Sequence, residues 1–133
     1  MRKYVILLII LLIKSPVSAY TQSGDPVKKI VREMAKTNVF ELQVTGTNTP
    51  FNQNVRFQQL LENSDTLELA SLITNHKNAV VRLYAFQAMV LRQKIIPRNI
   101  IDRIMNDKSL VNVIYENETR QKKLNEIASG FLY

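Results

Sequence analysis

The chain has 133 residues, a formal net charge of +7, one histidine and no cysteine. This composition excludes disulfide bonds, cysteine nucleophiles and zinc sites built from clusters of His and Cys. The only glycines are Gly24, Gly46 and Gly130, which are too far apart to form a phosphate-binding loop. We therefore expect a protein that is not an enzyme and that carries no metal or cofactor.

The first 19 residues have the features of a secretory signal peptide in the order that export requires. Arg2 and Lys3 form a cationic start, and residues 4–13 are an unbroken apolar run. Residues 14–16 break the run, and the small residues 17–19 follow. The alternative is a transmembrane anchor, but crossing a bilayer takes about 20 apolar residues, and this run has ten.

The predicted cleavage site lies between Ala19 and Tyr20, so the mature chain is expected to begin at Tyr20. Three basic residues leave with the signal, which lowers the net charge by three and leaves only weak support for a polyanionic partner. Residues 20–24 are polar and predict a disordered lead-in, and residues 25–133 have the size of a single domain. The abundance of Ile, Asn and Lys is typical of an AT-rich bacterial genome. The expected location is therefore periplasmic or secreted.

The first helix is predicted to start at Asp25 and Pro26, with Asp as the N-cap and Pro at the first helical position. Apolar residues then recur at the spacing of one helical face: Val27, Ile30, Val31 and Met34. The other face is basic and carries Lys28, Lys29, Arg32 and Lys36. Such a face is usually solvated, and the functional alternative is a surface for an acidic partner, either another protein or an anionic membrane.

The next part of the chain alternates turn signals with short helical patterns. Residues 40–50 predict a short extended piece followed by a loop. Residues 55–63 predict a short amphipathic helix. Asp65 and Glu68 have the spacing of a capping box, and the helix that they open is predicted to end at residues 75–78.

Residues 79–91 are the strongest structural signal. Arg82 and Gln87 are the only strongly polar residues in this stretch, which is too long for a typical strand and rich in helix-forming residues. A helix that is apolar on nearly all sides must be surrounded by other elements. We therefore predict that it is the central helix of the domain and that Arg82 has a partner there.

Two further helices are predicted near the C-terminus. Their apolar faces are Ile100, Ile101, Ile104 and Met105 in the first, and Leu124, Ile127, Ala128 and Phe131 in the second. Pro97 suits the start of the first, and Gly130 suits the end of the second. Residues 110–115 fit either a strand or a helix, and residues 116–123 are a polar run typical of solvated surface.

Residues 69–92 combine a Leu-rich helix, an Asn-containing turn and a second helix with Val-Arg and spaced alanines. The residues of this pattern are Leu69, Leu72, Ile73, Asn75, Asn78, Val81, Arg82, Ala85 and Ala88. The pattern resembles a HEAT repeat, the helical hairpin of α-solenoid proteins. Ala79 stands where the family usually has proline, and His76 where it often has aspartate. A second, partial unit closes at residues 106–108.

The chain is therefore predicted to be mainly α, a compact bundle of short antiparallel helices with HEAT-like hairpins and one short β piece. The resemblance implies a binding role without naming a ligand. It also implies that Arg82 reaches Asp107 of the next unit and ties the two hairpins together. The chain is further similar to small exported bacterial proteins that carry a single hairpin of this kind.

Few residues remain that could carry chemistry. His76 lies in a predicted turn, where a solvated surface histidine is the expected state. The remaining carboxylates are assigned to caps or to solvated surface: Asp65, Glu68, Asp102, Glu116 and Glu118. A second basic group surrounds the Pro97 turn and consists of Arg92, Lys94, Arg98 and Arg103. Nucleic acid is not an expected partner, because the chain is exported and few aromatic residues interleave with its charges.

The sequence is consistent with two functions. The first is a non-enzymatic interaction or structural module of the bacterial envelope, whose partner is another protein or an anionic membrane surface. The alternative is a small periplasmic ligand-binding or inhibitor protein, which would need a concave apolar pocket. A deep cleft lined by Tyr84, Phe86 or Tyr115 would favour that alternative.

Overall fold

The computed structural model describes residues 25–42, 51–93 and 95–133. In chain order the described elements are α1 (Pro26–Thr37), β1 (Phe40–Glu41), α2 (Gln53–Asn63), α3 (Thr66–Asn75), α4 (Ala79–Arg92), α5 (Arg98–Met105), β2 (Leu110–Tyr115), β3 (Glu118–Lys123) and α6 (Leu124–Ser129). This part of the chain is mainly helical, as predicted. The predicted signal peptide, its cleavage site at Ala19 and Tyr20, the lead-in 20–24 and the loop at 43–50 lie outside the described residues.

Helix α1 forms as its local sequence predicts. The Asp25 carboxylate accepts a 3.0 Å hydrogen bond from the backbone N–H of Val27, and Pro26 is the first helical residue. The predicted apolar face is buried: Val27, Ile30, Val31 and Met34. The helix ends at Asn38, whose positive φ of 53° allows its N–H to reach the carbonyl of Met34.

Helices α3 and α4 follow each other across a three-residue turn and pack together. The predicted capping box at the start of α3 is confirmed, with Asp65 and Glu68 each bonding the other's backbone N–H. Asn78 caps α4 by accepting from the backbone N–H of Val81. Helix α4 is the central helix, as predicted, since it contacts α1, α2, α3, α6 and β2.

The sheet is larger than the single short β piece that the sequence predicts. Strand β1 pairs in parallel with β2, and β2 pairs antiparallel with β3. Residues 110–115 are therefore a strand, and most of the polar run 116–123 is a strand as well, although it is exposed. The two strands meet at a two-residue turn, Glu116 and Asn117, with φ values of 47° and 67°. Positive φ at both turn residues matches the right-handed twist of a hairpin.

The segment that resembles a partial second repeat unit in sequence is a helix followed by a strand. Helix α5 begins at Arg98, one residue later than predicted, with Pro97 at the N-cap. Its buried face contains Ile100 and Ile104. Strand β2 follows the turn at residues 106–109, in the position where a full helical hairpin would have its second helix.

Candidate functional site

A groove between α1 and the C-terminal end of α3 is the candidate site, and we call it the basic groove. It has a volume of about 430 Å³ and is largely open to solvent. Its lining residues are Val27, Lys28, Val31, Arg32, Ala35, Leu72, His76 and Lys77. The groove thus combines apolar side chains with three cations and a histidine, and its lining contains no carboxylate.

The floor of the basic groove is apolar because the face of α1 that lines the groove carries apolar side chains. Val27, Val31 and Ala35 are spaced by four residues and therefore lie above one another along the helix. Val27 and Val31 each keep 7% of their surface exposed, and Leu72 on α3 is partly buried beside them. This stripe contacts the core and still presents an apolar surface to the groove.

The rim of the basic groove is cationic. Lys28 and Arg32 extend from α1, and Lys77 extends from the turn after α3. Among the described residues, none of these three cations forms a salt bridge. Their positive charge is therefore available to a molecule in the groove.

The structure divides the basic face that the sequence predicts on the first helix. Lys28 and Arg32 line the basic groove, whereas Lys29 lies on the other side of α1, where it lines a shallow cleft with Glu33. Lys36 is exposed in the last turn of α1. Of the four cations predicted to form a surface for an acidic partner, two lie beside the apolar floor of the groove and two lie outside the groove.

The second basic group bonds mainly within the protein. Arg92 donates to the carbonyls of Ser64 and Leu61, and Arg103 donates to that of Thr74 at 3.5 Å. The Nε of Arg98 lies 3.9 Å from a carboxylate oxygen of Asp102 on an exposed helix surface. Lys94 lies outside the described residues.

His76 is more enclosed than the solvated turn histidine that the sequence predicts. Its Nδ1 accepts a 3.0 Å hydrogen bond from the backbone N–H of Asn78, so the neutral ring carries its proton on Nε2. Burial lowers the pKa of His76 below its ordinary value, and the positive charges of Arg82 and Lys77 lower it further. The ring is therefore neutral at physiological pH.

This lowered pKa predicts a loss of stability in mild acid. In the unfolded chain His76 has its ordinary pKa of about 6.5. As the pH falls, the unfolded state therefore binds the proton at a higher pH than the folded state does. The contribution of His76 to stability is thus complete above the unfolded-state pKa and is lost as the pH falls toward the folded-state pKa. We expect the urea midpoint to fall between about pH 7.5 and about pH 5.5, and we expect His76→Gln to show a smaller fall. Equal falls in both proteins would contradict this assignment.

Arg82 and Asp107, the predicted tie, are brought together beside the basic groove. Arg82 Nε donates to Asp107 Oδ2 at 2.8 Å and Nη2 donates to Oδ1 at 3.4 Å. Nη2 also donates to Ser109 Oγ at 2.8 Å, while Nη1 donates to the carbonyls of His76 and Lys77 at 2.9 and 3.0 Å. Burial raises the pKa of Asp107, but the hydrogen bonds from Arg82 and Ser109 outweigh it and hold the pKa below its ordinary value.

A buried network around Glu41 is a feature that the sequence pattern does not indicate. Glu41 accepts from the backbone N–H groups of Gln53 and Phe51, at 2.9 and 3.5 Å. The Tyr84 hydroxyl accepts from the backbone N–H of Glu41 at 3.0 Å, and burial raises the pKa of Tyr84. This network holds the start of α2 against β1 and the central helix, so we assign it a structural role.

The three aromatic residues that would favour a ligand-binding protein if they lined a deep cleft lie in different places, two in the core and one at the surface. Tyr84 and Phe86 are buried, and Tyr84 packs against Phe40 in a tilted arrangement with ring centroids 4.5 Å apart. Tyr115 lines an open cleft of about 350 Å³ on the sheet. The other lining residues of this cleft are Leu42, Val113, Glu116, Glu118, Arg120 and Lys122. Its charges have both signs, and Arg120 pairs with Glu118 at 2.9 Å.

The described part of the chain contains neither a cluster of metal ligands nor a helix that could span a membrane. In residues 25–42, 51–93 and 95–133, no three His, Cys, Asp or Glu side chains come together as metal ligands would. Within the same ranges, no helix has the length and apolar character to cross a membrane. Comparisons of the chain with protein-family models, curated proteins and solved structures found no match.

Proposed function

We propose that this protein is an exported, non-enzymatic interaction module of the bacterial envelope and that it binds an acidic partner protein through the basic groove. The observation that carries the proposal is the set of Lys28, Arg32 and Lys77 around an apolar floor whose lining has no carboxylate. Opposite charge steers a partner to such a surface and fixes its orientation. The signal-peptide pattern of residues 1–19 supports the export.

The proposal includes the HEAT-like character of the pair α3 and α4. Its support is the short turn between two packed helices, together with the contact from Arg82 at that turn to Asp107 after α5. HEAT-like units present their helices and turns to other proteins. The basic groove lies at this turn, since His76 and Lys77 belong to both.

The alternative, a small ligand-binding or inhibitor protein, has its support in the cleft on the sheet that contains Tyr115. Ligand sites are usually lined mainly by apolar side chains with a few polar groups, whereas this cleft is lined mostly by charged side chains of both signs. The basic groove therefore supports protein binding better than the sheet cleft supports a small ligand.

Charge reversal at matched positions tests the proposed function. The first variant is Lys28→Glu with Arg32→Glu, and the control is Lys29→Glu with Lys36→Glu. Both variants change the net charge equally, but only the first changes the groove. The probe is a fluorescent deca-glutamate peptide, whose binding is measured by anisotropy at low and at physiological ionic strength.

We expect the groove variant to bind the probe about tenfold more weakly, the effect of losing roughly 1.4 kcal/mol, while the control stays close to the unchanged protein. Circular dichroism establishes that both variants fold, and Lys77→Glu is a third variant at a separate position. Equal weakening in the groove variant and the control would overturn the proposal, because it would show attraction by net charge alone. Binding to phosphatidylglycerol vesicles in place of the peptide would assign the groove to the membrane surface instead.

A further inference from the structure

We infer that the segment bound in the basic groove carries one branched aliphatic side chain, Leu, Ile or Val, between carboxylates. This inference rests on the proposed function and specifies the chemistry of the partner. The observation that supports it is the apolar floor of the groove, which Val27, Val31 and Leu72 form between the cations. Polyanions without an apolar group would leave this floor in water and gain only the charge contacts.

The cations lie on two walls of the groove. Lys28 and Arg32 are on α1, while Lys77 is in the turn after α3. A segment with acidic residues before and after its aliphatic residue can place a carboxylate at each wall and the aliphatic group on the floor between them.

Arg82 bonds two backbone carbonyls of the turn that forms the second wall. Free backbone carbonyl groups at the end of a helix and in the turn after it carry partial negative charge, which repels an anion. Here the carbonyls of His76 and Lys77 accept hydrogen bonds from Arg82. The turn thus offers the Lys77 ammonium to an acidic segment while two of its carbonyls are already bonded within the protein.

The open shape of the groove favours a peptide over a lipid. A fatty acyl chain leaves water only in an enclosed cavity, whereas this groove is largely open to solvent. A single aliphatic side chain can lie on the floor while the peptide backbone stays in water. The segment of this chain that precedes α1, residues 20–24, contains no carboxylate and so lacks the charge that the rim would bind.

Three acetylated and amidated nonapeptides test the inference. Each has four glutamates on either side of a central residue, which is leucine, alanine or lysine. Titration into the 15N-labelled protein, followed by NMR, gives the affinity of each peptide and the residues that it contacts. We expect the leucine peptide to bind about tenfold more tightly than the alanine peptide and to shift the signals of Val31, Ala35 and Leu72.

Each outcome separates this inference from the proposed function. Equal affinity for the leucine and alanine peptides, with shifts at Lys28 and Arg32, would overturn the aliphatic anchor and leave the acidic partner in place. Shifts confined to residues outside the groove would overturn both. The variant with Lys28→Glu and Arg32→Glu serves as the control, since a leucine preference that persists without these cations would locate the apolar contact elsewhere. Saturable binding of dodecanoate with the same shifts would replace the peptide with a lipid.

Discussion

Replacing Arg82 with alanine should lower the free energy of unfolding by about 3–5 kcal/mol, the range for a buried ion pair that loses one partner. The substitution leaves the Asp107 carboxylate, which is only 7% exposed, without its bidentate partner. It also removes the donors to the carbonyls of His76 and Lys77. Whole domains have stabilities of about 5–15 kcal/mol, so the variant should be far less stable. Urea denaturation followed by circular dichroism measures the difference.

Three control variants show whether the loss of stability in Arg82→Ala comes from the pairing of Arg82 with Asp107. Lys29→Ala removes an exposed cation that is outside the groove and should change stability by less than about 0.5 kcal/mol. Asp107→Ala should cost a similar amount to Arg82→Ala, and the double variant should cost much less than the two single losses together, because the residues act as a pair. A silent Arg82→Ala variant, or losses that simply add, would contradict the paired role.

The elements that could be predicted from the sequence are those whose signals are local. The predicted caps at Asp25 and Asp65 need only the residue itself and a backbone N–H two or three positions away. The central helix could be predicted because its composition leaves no exposed face. The pairing of Arg82 with Asp107 could be proposed because a charge in an apolar helix needs a partner and the repeat resemblance supplied the register.

Strand β3 could not be predicted because its six residues are all polar and exposed. A strand with both faces in water has no alternation of apolar and polar residues, and it exists here because β2 supplies the hydrogen-bonding partner. The one local signal was Asn117, a residue that tolerates the positive φ of a hairpin turn.

The basic groove could be predicted only in part. Lys28 and Arg32 are candidates from the helix face, but no local feature distinguishes them from Lys29 and Lys36. What separates the two pairs is that the end of α3 and the turn after it lie beside one side of α1, a tertiary arrangement without a local signal. For the same reason nothing in the sequence connects Leu72 and Lys77 with Lys28.

Truncating Leu69 to alanine should destabilise the protein by about 2–5 kcal/mol, and the same truncation of Leu67 should cost less than about 0.5 kcal/mol. Both leucines are on α3 and both changes remove the same atoms, so differences in helix propensity cancel. Leu69 is fully buried in the core, whereas Leu67 is 81% exposed. The large loss at Leu69 combines the lost transfer energy of the side chain with the cavity left in a core that cannot collapse fully.

The comparison of Leu69→Ala with Leu67→Ala also tests whether the core and the binding surface are independent of each other. Leu69 does not line the basic groove, so under conditions where Leu69→Ala remains folded, its affinity for the leucine nonapeptide should stay within about twofold of the unchanged protein. Urea denaturation gives the stabilities, and the NMR titration gives the affinities. If Leu67→Ala were as destabilising as Leu69→Ala, the orientation of α3 would be wrong. Since α3 forms one wall of the groove, the assignment of Leu72 and Lys77 to the binding site would then be wrong as well.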